Sequence, residues 1–116
     1  MITHVLAVVP VTDISVSQDW YERLFGRAPD NTPMDSLIEW QVTDNGWLQV
    51  SDALSPAGSA AVNLAVDDLA GHLSDIAGRG IQHGQIVPVN KGVELCTTND
   101  PDGNSITFVG NFRVKY

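Results

Sequence analysis

The chain has 116 residues, 43% of them hydrophobic and 17% charged, which suits a single domain whose core needs no disulfide or metal to fold. Its formal charge of −8 at pH 7 disfavours nucleic acid as a partner, and no apolar run approaches the roughly 20 residues of a membrane span. The lone Cys96 is typical of a reducing compartment and the first residues lack the features of a signal peptide, so we expect a cytoplasmic protein.

The first predicted elements are a strand and a helix. Residues 5–11 form an apolar run of strand length, which is typical of a strand covered on both faces. A helix is predicted over 16–25, where large apolar residues recur at four-residue spacing. Asp13 and Ser15 are both candidates for its N-cap, and Gly26 supplies the C-terminal stop.

The next stretch predicts a hairpin followed by a linker. Residues 27–35 are rich in turn formers and predict at most a short strand. Residues 37–42 and 47–51 alternate as half-buried strands do, and Asp, Asn and Gly at 43–46 suit a tight turn between them. Small residues with Pro and Gly at 53–59 predict a linker.

The second half repeats the order of the first. A strand at 60–66 precedes a helix that Asp67 or Asp68 would cap and that ends at residues 78–80. Three further strands follow, at 83–89, 93–97 and 105–109. The predicted organisation is therefore an α+β fold of two tandem βαβββ modules, residues 1–52 and 60–116, joined by the linker at 53–59.

Three short motifs carry a resemblance to a known family. Val-Thr-Asp-Ile at 11–14 returns as Val-Asp-Asp-Leu at 66–69, and Asp-Pro-Asp-Gly at 100–103 forms a turn before the last strand. With the repeated βαβββ order, the chain resembles the vicinal oxygen chelate superfamily, which includes glyoxalases, bleomycin resistance proteins and extradiol dioxygenases. The resemblance implies a curled mixed sheet with helices outside, a homodimer, and ligand cavities between modules.

Metal enzymes of that superfamily hold one divalent ion with His or carboxylate side chains from four strands. By the resemblance, the four positions fall here at Leu6, Gln49, Ala61 and Thr107. Leu, Ala and Thr side chains are not ligands of this kind, and Gln is a weak one. We therefore expect no metal and no other cofactor.

The expected pocket is lined by side chains from strands of both modules. The candidates for contact with a small-molecule ligand are Leu6, Trp40, Trp47, Gln49, Ala61, Asn63 and Thr107. Two tryptophans on an acidic protein suit a cationic or aromatic ligand by stacking and cation–π contact. Burial of one or both tryptophans in the core is the alternative.

Several other polar residues have no assigned place. His4, His83, Glu39 and Glu94 belong to the pocket if they face it, and sequence does not decide this. His72 is expected on the solvated face of the second helix. Cys96 is expected to be a small buried apolar residue, and local spacing yields no Cys–His or Ser–His–Asp arrangement.

Three functional hypotheses follow. The first is a metal-independent protein of the bleomycin-resistance type that sequesters a cationic or aromatic compound such as an antibiotic. The second is a lyase, isomerase or dioxygenase with an atypical site drawn from His4, Gln49, His83 or Glu94. The third is a regulatory or structural dimer with a vestigial pocket.

Overall fold

The computed structural model describes residues 1–116, which form two halves with the same order of elements. The first half contains β1 (Val5–Pro10), α1 (Ile14–Phe25), β2 (Asn31–Met34), β3 (Leu37–Thr43) and β4 (Gly46–Ser51). The second contains β5 (Ala61–Val66), α2 (Leu69–Gly78), β6 (Val87–Pro88), β7 (Glu94–Asn99) and β8 (Ser105–Gly110). The α+β fold of two βαβββ modules is confirmed.

Each half forms its own four-stranded sheet. The strand orders are β1-β4-β3-β2 and β5-β8-β7-β6, so the two sheets have the same topology. In each, the first and last strands of the module are parallel neighbours and the other pairs are antiparallel. β1 and β5 each have only one partner strand, which leaves one edge of each strand free within the chain.

Aspartate side chains begin both helices. Asp13 is the N-cap of α1 and accepts hydrogen bonds from the Ser15 hydroxyl and from the amides of Val16 and Ser15, which hold the pKa of its carboxyl below the usual range. Asp68, rather than Asp67, caps α2 through the amide of Gly71. Neither helix has the length and apolar composition required to cross a membrane.

The two modules share one hydrophobic core. Each helix covers one face of its own sheet, and the buried side chains of both helices and both sheets form a single cluster that includes Tyr21, Leu24, Leu73 and Phe108. Val16, expected on the apolar face of α1, lies in the first turn of the helix and is instead 52% exposed. The core therefore lies on the helix side of the sheets.

The apolar run in β1 does not result from burial of both faces of the strand. Val9 and the following Val11 are buried, whereas Leu6 and Val8 on the other face are 53% and 40% exposed. The prediction of burial on both faces is therefore wrong for the single chain. One covered face and one open apolar face remain.

The predicted strand at 83–89 shrinks to Val87–Pro88. Only these two residues pair with β7, and Pro88 has no amide hydrogen to extend the ladder. Upstream, side chains of β7 hydrogen-bond to backbone carbonyls of this part of the chain. The Thr98 hydroxyl, for example, donates to the Gln82 carbonyl at 2.5 Å. Upstream of Val87 the chain is thus attached to β7 by one backbone hydrogen bond, from the Gly84 amide to the Thr97 carbonyl at 3.0 Å, and by side-chain hydrogen bonds from Cys96 and Thr98.

The turn before β8 joins the two modules. Asn104, which is fully buried, donates from Nδ2 to the Pro10 carbonyl at 2.9 Å and accepts from the Ala60 amide at 2.9 Å. In the same turn Asp102 accepts from the hydroxyl of Thr12 at 2.7 Å. The Asp-Pro-Asp-Gly motif therefore fixes the end of β1 against the start of β5 and β8.

Candidate functional site

The open face of the first sheet brings together apolar side chains and one carboxylate. Leu6 lies opposite Trp47, and Val8 lies opposite Gln49, in the parallel ladder of β1 and β4. Gln49 in turn lies opposite Glu39 of β3. Because alternate residues of a strand share a face, these five side chains form one surface on the side away from α1.

Glu39 is held in place without being neutralised. Its Oε2 accepts a hydrogen bond from Gln49 Nε2 at 2.7 Å, and its Oε1 accepts one from Asn31 Nδ2 at 3.1 Å. The two ion pairs of the chain lie elsewhere, so no cation offsets this half-buried carboxylate. A positioned negative charge beside apolar and aromatic surface can bind an organic cation.

The open face of the second sheet is polar and neutral. Asn63 of β5 lies opposite Thr107 of β8, which lies opposite Thr97 of β7. The two threonine hydroxyls are 2.7 Å apart and hydrogen-bonded. Ala61 begins the same face of β5, at the position opposite Ser105. Hydroxyl and amide groups at this density can bind the oxygens and nitrogens of a polar ligand.

Of the candidate ligand contacts, Trp40 is buried in the core and does not reach the open face. Its side chain is 0% exposed and packs in the core, with ring centroids 5.9 Å from Tyr21 and 5.4 Å from Phe25. Its Nε1 donates to the Arg27 carbonyl at 3.1 Å. Trp40 shares the helix-facing side of β3 with Ile38, so the strand parity that places Glu39 on the open face buries this tryptophan.

The positions that hold a metal in the superfamily's enzymes do not fit one here. The register places Val8, not Leu6, opposite Gln49, and Asn63, not Ala61, opposite Thr107, and neither side chain is a His or carboxylate ligand. His4, two residues before Leu6, is exposed and hydrogen-bonds to Thr3. No group of three or more His, Cys, Asp or Glu side chains lies close enough to hold an ion.

The structure brings His83 and Cys96 together, a pair that local spacing did not reveal. The thiol lies 3.5 Å from His83 Nδ1 and donates to the Gly84 carbonyl at 3.2 Å. Burial raises the pKa of the Cys96 thiol, which keeps it protonated and unreactive. Only the pairing of residues 82–84 with β7 could have indicated this contact.

The other titratable candidates are dispersed. His4 is exposed and contacts only Thr3, its neighbour in the sequence. His83 lies beside a polar cleft of about 260 Å³ that Thr97 and Asn99 also line. Glu94 has the strand parity of the buried Cys96 and so lies away from the open face of its sheet.

A groove of about 340 Å³ runs along the free edge of β5 on the helix side of the molecule. Its apolar walls are Phe25, Val42, Leu64, Val66 and Phe108. His72 also lines it, with its ring centroid 4.3 Å from that of Phe108. The expectation of a solvated His72 is wrong, because α2 turns this residue toward the boundary of the core.

Acidification should destabilise the protein through His72. Burial first, and then the nearby Arg79 charge, lower the pKa of this imidazole from 6.5, against the opposing influence of Asp75 and Asp67. The unfolded chain therefore binds the proton more readily than the folded one. The contribution of neutral His72 to the free energy of unfolding is fully present above pH 6.5 and is lost as pH falls through the folded-state pKa. His72→Gln should flatten the dependence of melting temperature on pH between about 7.5 and 5.5; equal slopes for both proteins would contradict this.

Solved structures place this architecture in a family. No protein-family model and no curated protein matches the sequence. The chain is similar to a glyoxalase/bleomycin resistance protein from Catenulispora acidiphila, with 31% identity, 92% of this chain and 96% of that chain covered, and a TM-score of 0.85.

Two further structures are similar at lower identity. TnmS3, an antibiotic binding protein from Streptomyces sp. CB03234, is 25% identical over 94% of this chain and 96% of its own, with a TM-score of 0.73. A bleomycin-binding protein complexed with bleomycin is 23% identical over 92% of this chain and 97% of its own, with a TM-score of 0.75, and shows the shared fold alone. On the identity and coverage of the first match, this chain belongs to the glyoxalase/bleomycin resistance protein family.

Proposed function

We propose that this chain is a metal-independent small-molecule-binding protein that sequesters a cationic, partly aromatic compound of the antibiotic type. The observation that carries the proposal is the Glu39 carboxylate, held by Asn31 and Gln49 on an apolar face with no neighbouring cation. Leu6 and Trp47 on the same face offer contact area for a hydrocarbon or aromatic group. A structural relative, TnmS3, is an antibiotic binding protein, which supports the class of ligand.

The second sheet supplies the other half of the proposed site. Its open face has the hydroxyls of Thr97 and Thr107 and the amide of Asn63, but no charge. A ligand enclosed between the two kinds of face would present a cationic, apolar side to Glu39 and a hydrogen-bonding side to the threonines. Glycosylated or peptidic cationic compounds have this division of chemistry.

We further propose that the protein is a homodimer, because one chain leaves these faces uncovered. Its accessible surface is 6858 Å², whereas a monomer of 12.5 kDa exposes about 6,200 Å². The excess is of the order of the 800 Å² that each partner buries in a standard interface. A homodimer that covers the open face of β1 would account for its exposed apolar residues.

The remaining parts of the proposal concern partners and location. The charge of −8 disfavours nucleic acid, and the acidic surface attracts cations. The buried thiol of Cys96 is suited to a reducing compartment, which supports a cytoplasmic location.

A melting-temperature panel distinguishes the three functional hypotheses. The protein, freed of metal with a chelator, is mixed with bleomycin, other cationic antibiotics, and uncharged aromatic compounds. Sequestration predicts a rise of several degrees for at least one cationic compound, which corresponds to about 3 kcal/mol at a hundredfold excess over Kd. No shift with any compound would favour a vestigial pocket, and a shift with Zn²⁺, Ni²⁺, Mn²⁺ or Fe²⁺ alone would favour the enzyme.

A further inference from the structure

The groove along β5 has the features of a strand-binding site. Four consecutive residues of β5, Asn63–Val66, line it, which means that the groove meets the strand at its edge and not at one face. Since β5 pairs only with β8, the amide and carbonyl groups that point to the other side of β5 have no strand partner. An extended peptide can satisfy those groups and place alternate side chains against the apolar walls.

The chain itself contains a segment of that kind after β8. In residues 112–116, Phe-Arg-Val-Lys-Tyr, apolar and basic side chains alternate with the period of a strand. Phe112, Val114 and Tyr116 are 62%, 88% and 68% exposed, so nothing in the same chain covers them. Arg113 contacts only this segment, through the Lys115 carbonyl and the Tyr116 ring.

The segment is directed away from the groove of its own chain. Asn111 has a left-handed backbone, with φ at 59°, and its Nδ2 donates to the Gly92 carbonyl at 3.0 Å. Gly92 precedes β7, which flanks β8 on the side opposite β5. The groove is therefore available to the corresponding segment of another molecule.

We propose that residues 112–116 of a second copy add to the free edge of β5 as an extra strand, with Phe112 and Val114 in the groove. Five extended residues span about 16 Å, which covers the about 13 Å of residues 63–66. Arg113 and Lys115 would then lie on the opposite face of the added strand, away from α2 and from Arg27 at the groove. Reciprocal exchange gives a closed dimer with two such strands.

The test compares the full chain with a chain that ends at Asn111. Sedimentation equilibrium should show at least a tenfold weaker dimer for the shortened chain. Hydrogen exchange should show amides of residues 63–66 that are protected in the full chain at high concentration and unprotected in the shortened one. A shortened chain with the same dimer dissociation constant and the same exchange at β5 would overturn the proposal.

One substitution, in the groove, examines the contact from the side of β5. Thr43→Arg introduces a large side chain at an exposed position of the groove, and should weaken the dimer as truncation does. Combined with truncation it should add nothing further, because both changes remove one contact; additive effects would contradict strand addition. Ligand-induced melting shifts of the shortened chain report on the proposed binding function separately.

Discussion

Replacing Asp100 with Ala should lower the free energy of unfolding by about 4 kcal/mol, the largest effect that we expect from one substitution. The carboxylate is 5% exposed and accepts four hydrogen bonds. Tyr21 Oη and Asn104 Nδ2 donate to its Oδ2 at 2.9 and 2.8 Å, and the amides of Asp102 and Asn104 each donate to Oδ1 at 2.9 Å. Alanine leaves these donors buried without an acceptor.

The loss should appear in urea unfolding and as a fall of roughly 15 °C in melting temperature. Tyr21→Phe removes one donor only and should cost about 1–2 kcal/mol. Asp102→Ala is the matched control, because this aspartate lies in the same turn but bonds to Thr12 at the surface, where about 1 kcal/mol is expected. A loss below about 1 kcal/mol for Asp100→Ala would contradict its role in joining helix α1 to the turn.

Replacing Glu39 with Gln should weaken binding of a cationic aromatic ligand about tenfold, or 1.4 kcal/mol, and leave the fold intact. The substitution keeps the size of the side chain and removes its charge at a half-buried position of the open face. Glutamine keeps one acceptor oxygen and places an amide nitrogen at the other position, so either Gln49 or Asn31 must turn its own carbonyl oxygen toward that nitrogen. Melting temperature in the absence of ligand should change little.

A pair of probes separates charge from shape. A naphthylmethyl ammonium and the corresponding naphthylmethyl alcohol differ in the cation and share the aromatic ring. Wild-type protein should bind the ammonium more tightly, and Glu39→Gln should remove most of that preference, whereas Gln41→Glu adds a charge on the same face and should not reduce it. An equal loss for both probes would show that Glu39 acts through shape alone.

The parts of the structure that follow local rules were predictable from sequence. Strand parity in β3 places Ile38 and Trp40 on one side and Glu39 on the other. The side chain of Asp13 and the left-handed backbone of Gly26 define the ends of α1. The turn at 100–103 and the repeated order of elements were enough for the fold. Parity does not determine which side of a strand is covered. For this reason the sequence predicts a ligand contact at Trp40, which is in fact buried.

The parts that depend on contacts distant in sequence were not predictable. Burial of β1 on one face only is a property of how the modules pack, since Leu6 and Val9 are equally apolar in sequence. The contact of His83 with Cys96 depends on side chains of β7 that replace a regular ladder. The groove beside β5 arises between modules, so no single stretch of sequence indicates it.

The most direct test is calorimetric titration of the chelator-treated protein with the cationic compound that gives the largest melting shift. Metal-independent sequestration predicts saturable binding, the same affinity before and after addition of Zn²⁺, and a tenfold weaker affinity for Glu39→Gln. Binding that appears only when a divalent metal is added, or turnover of the ligand under that condition, would contradict it.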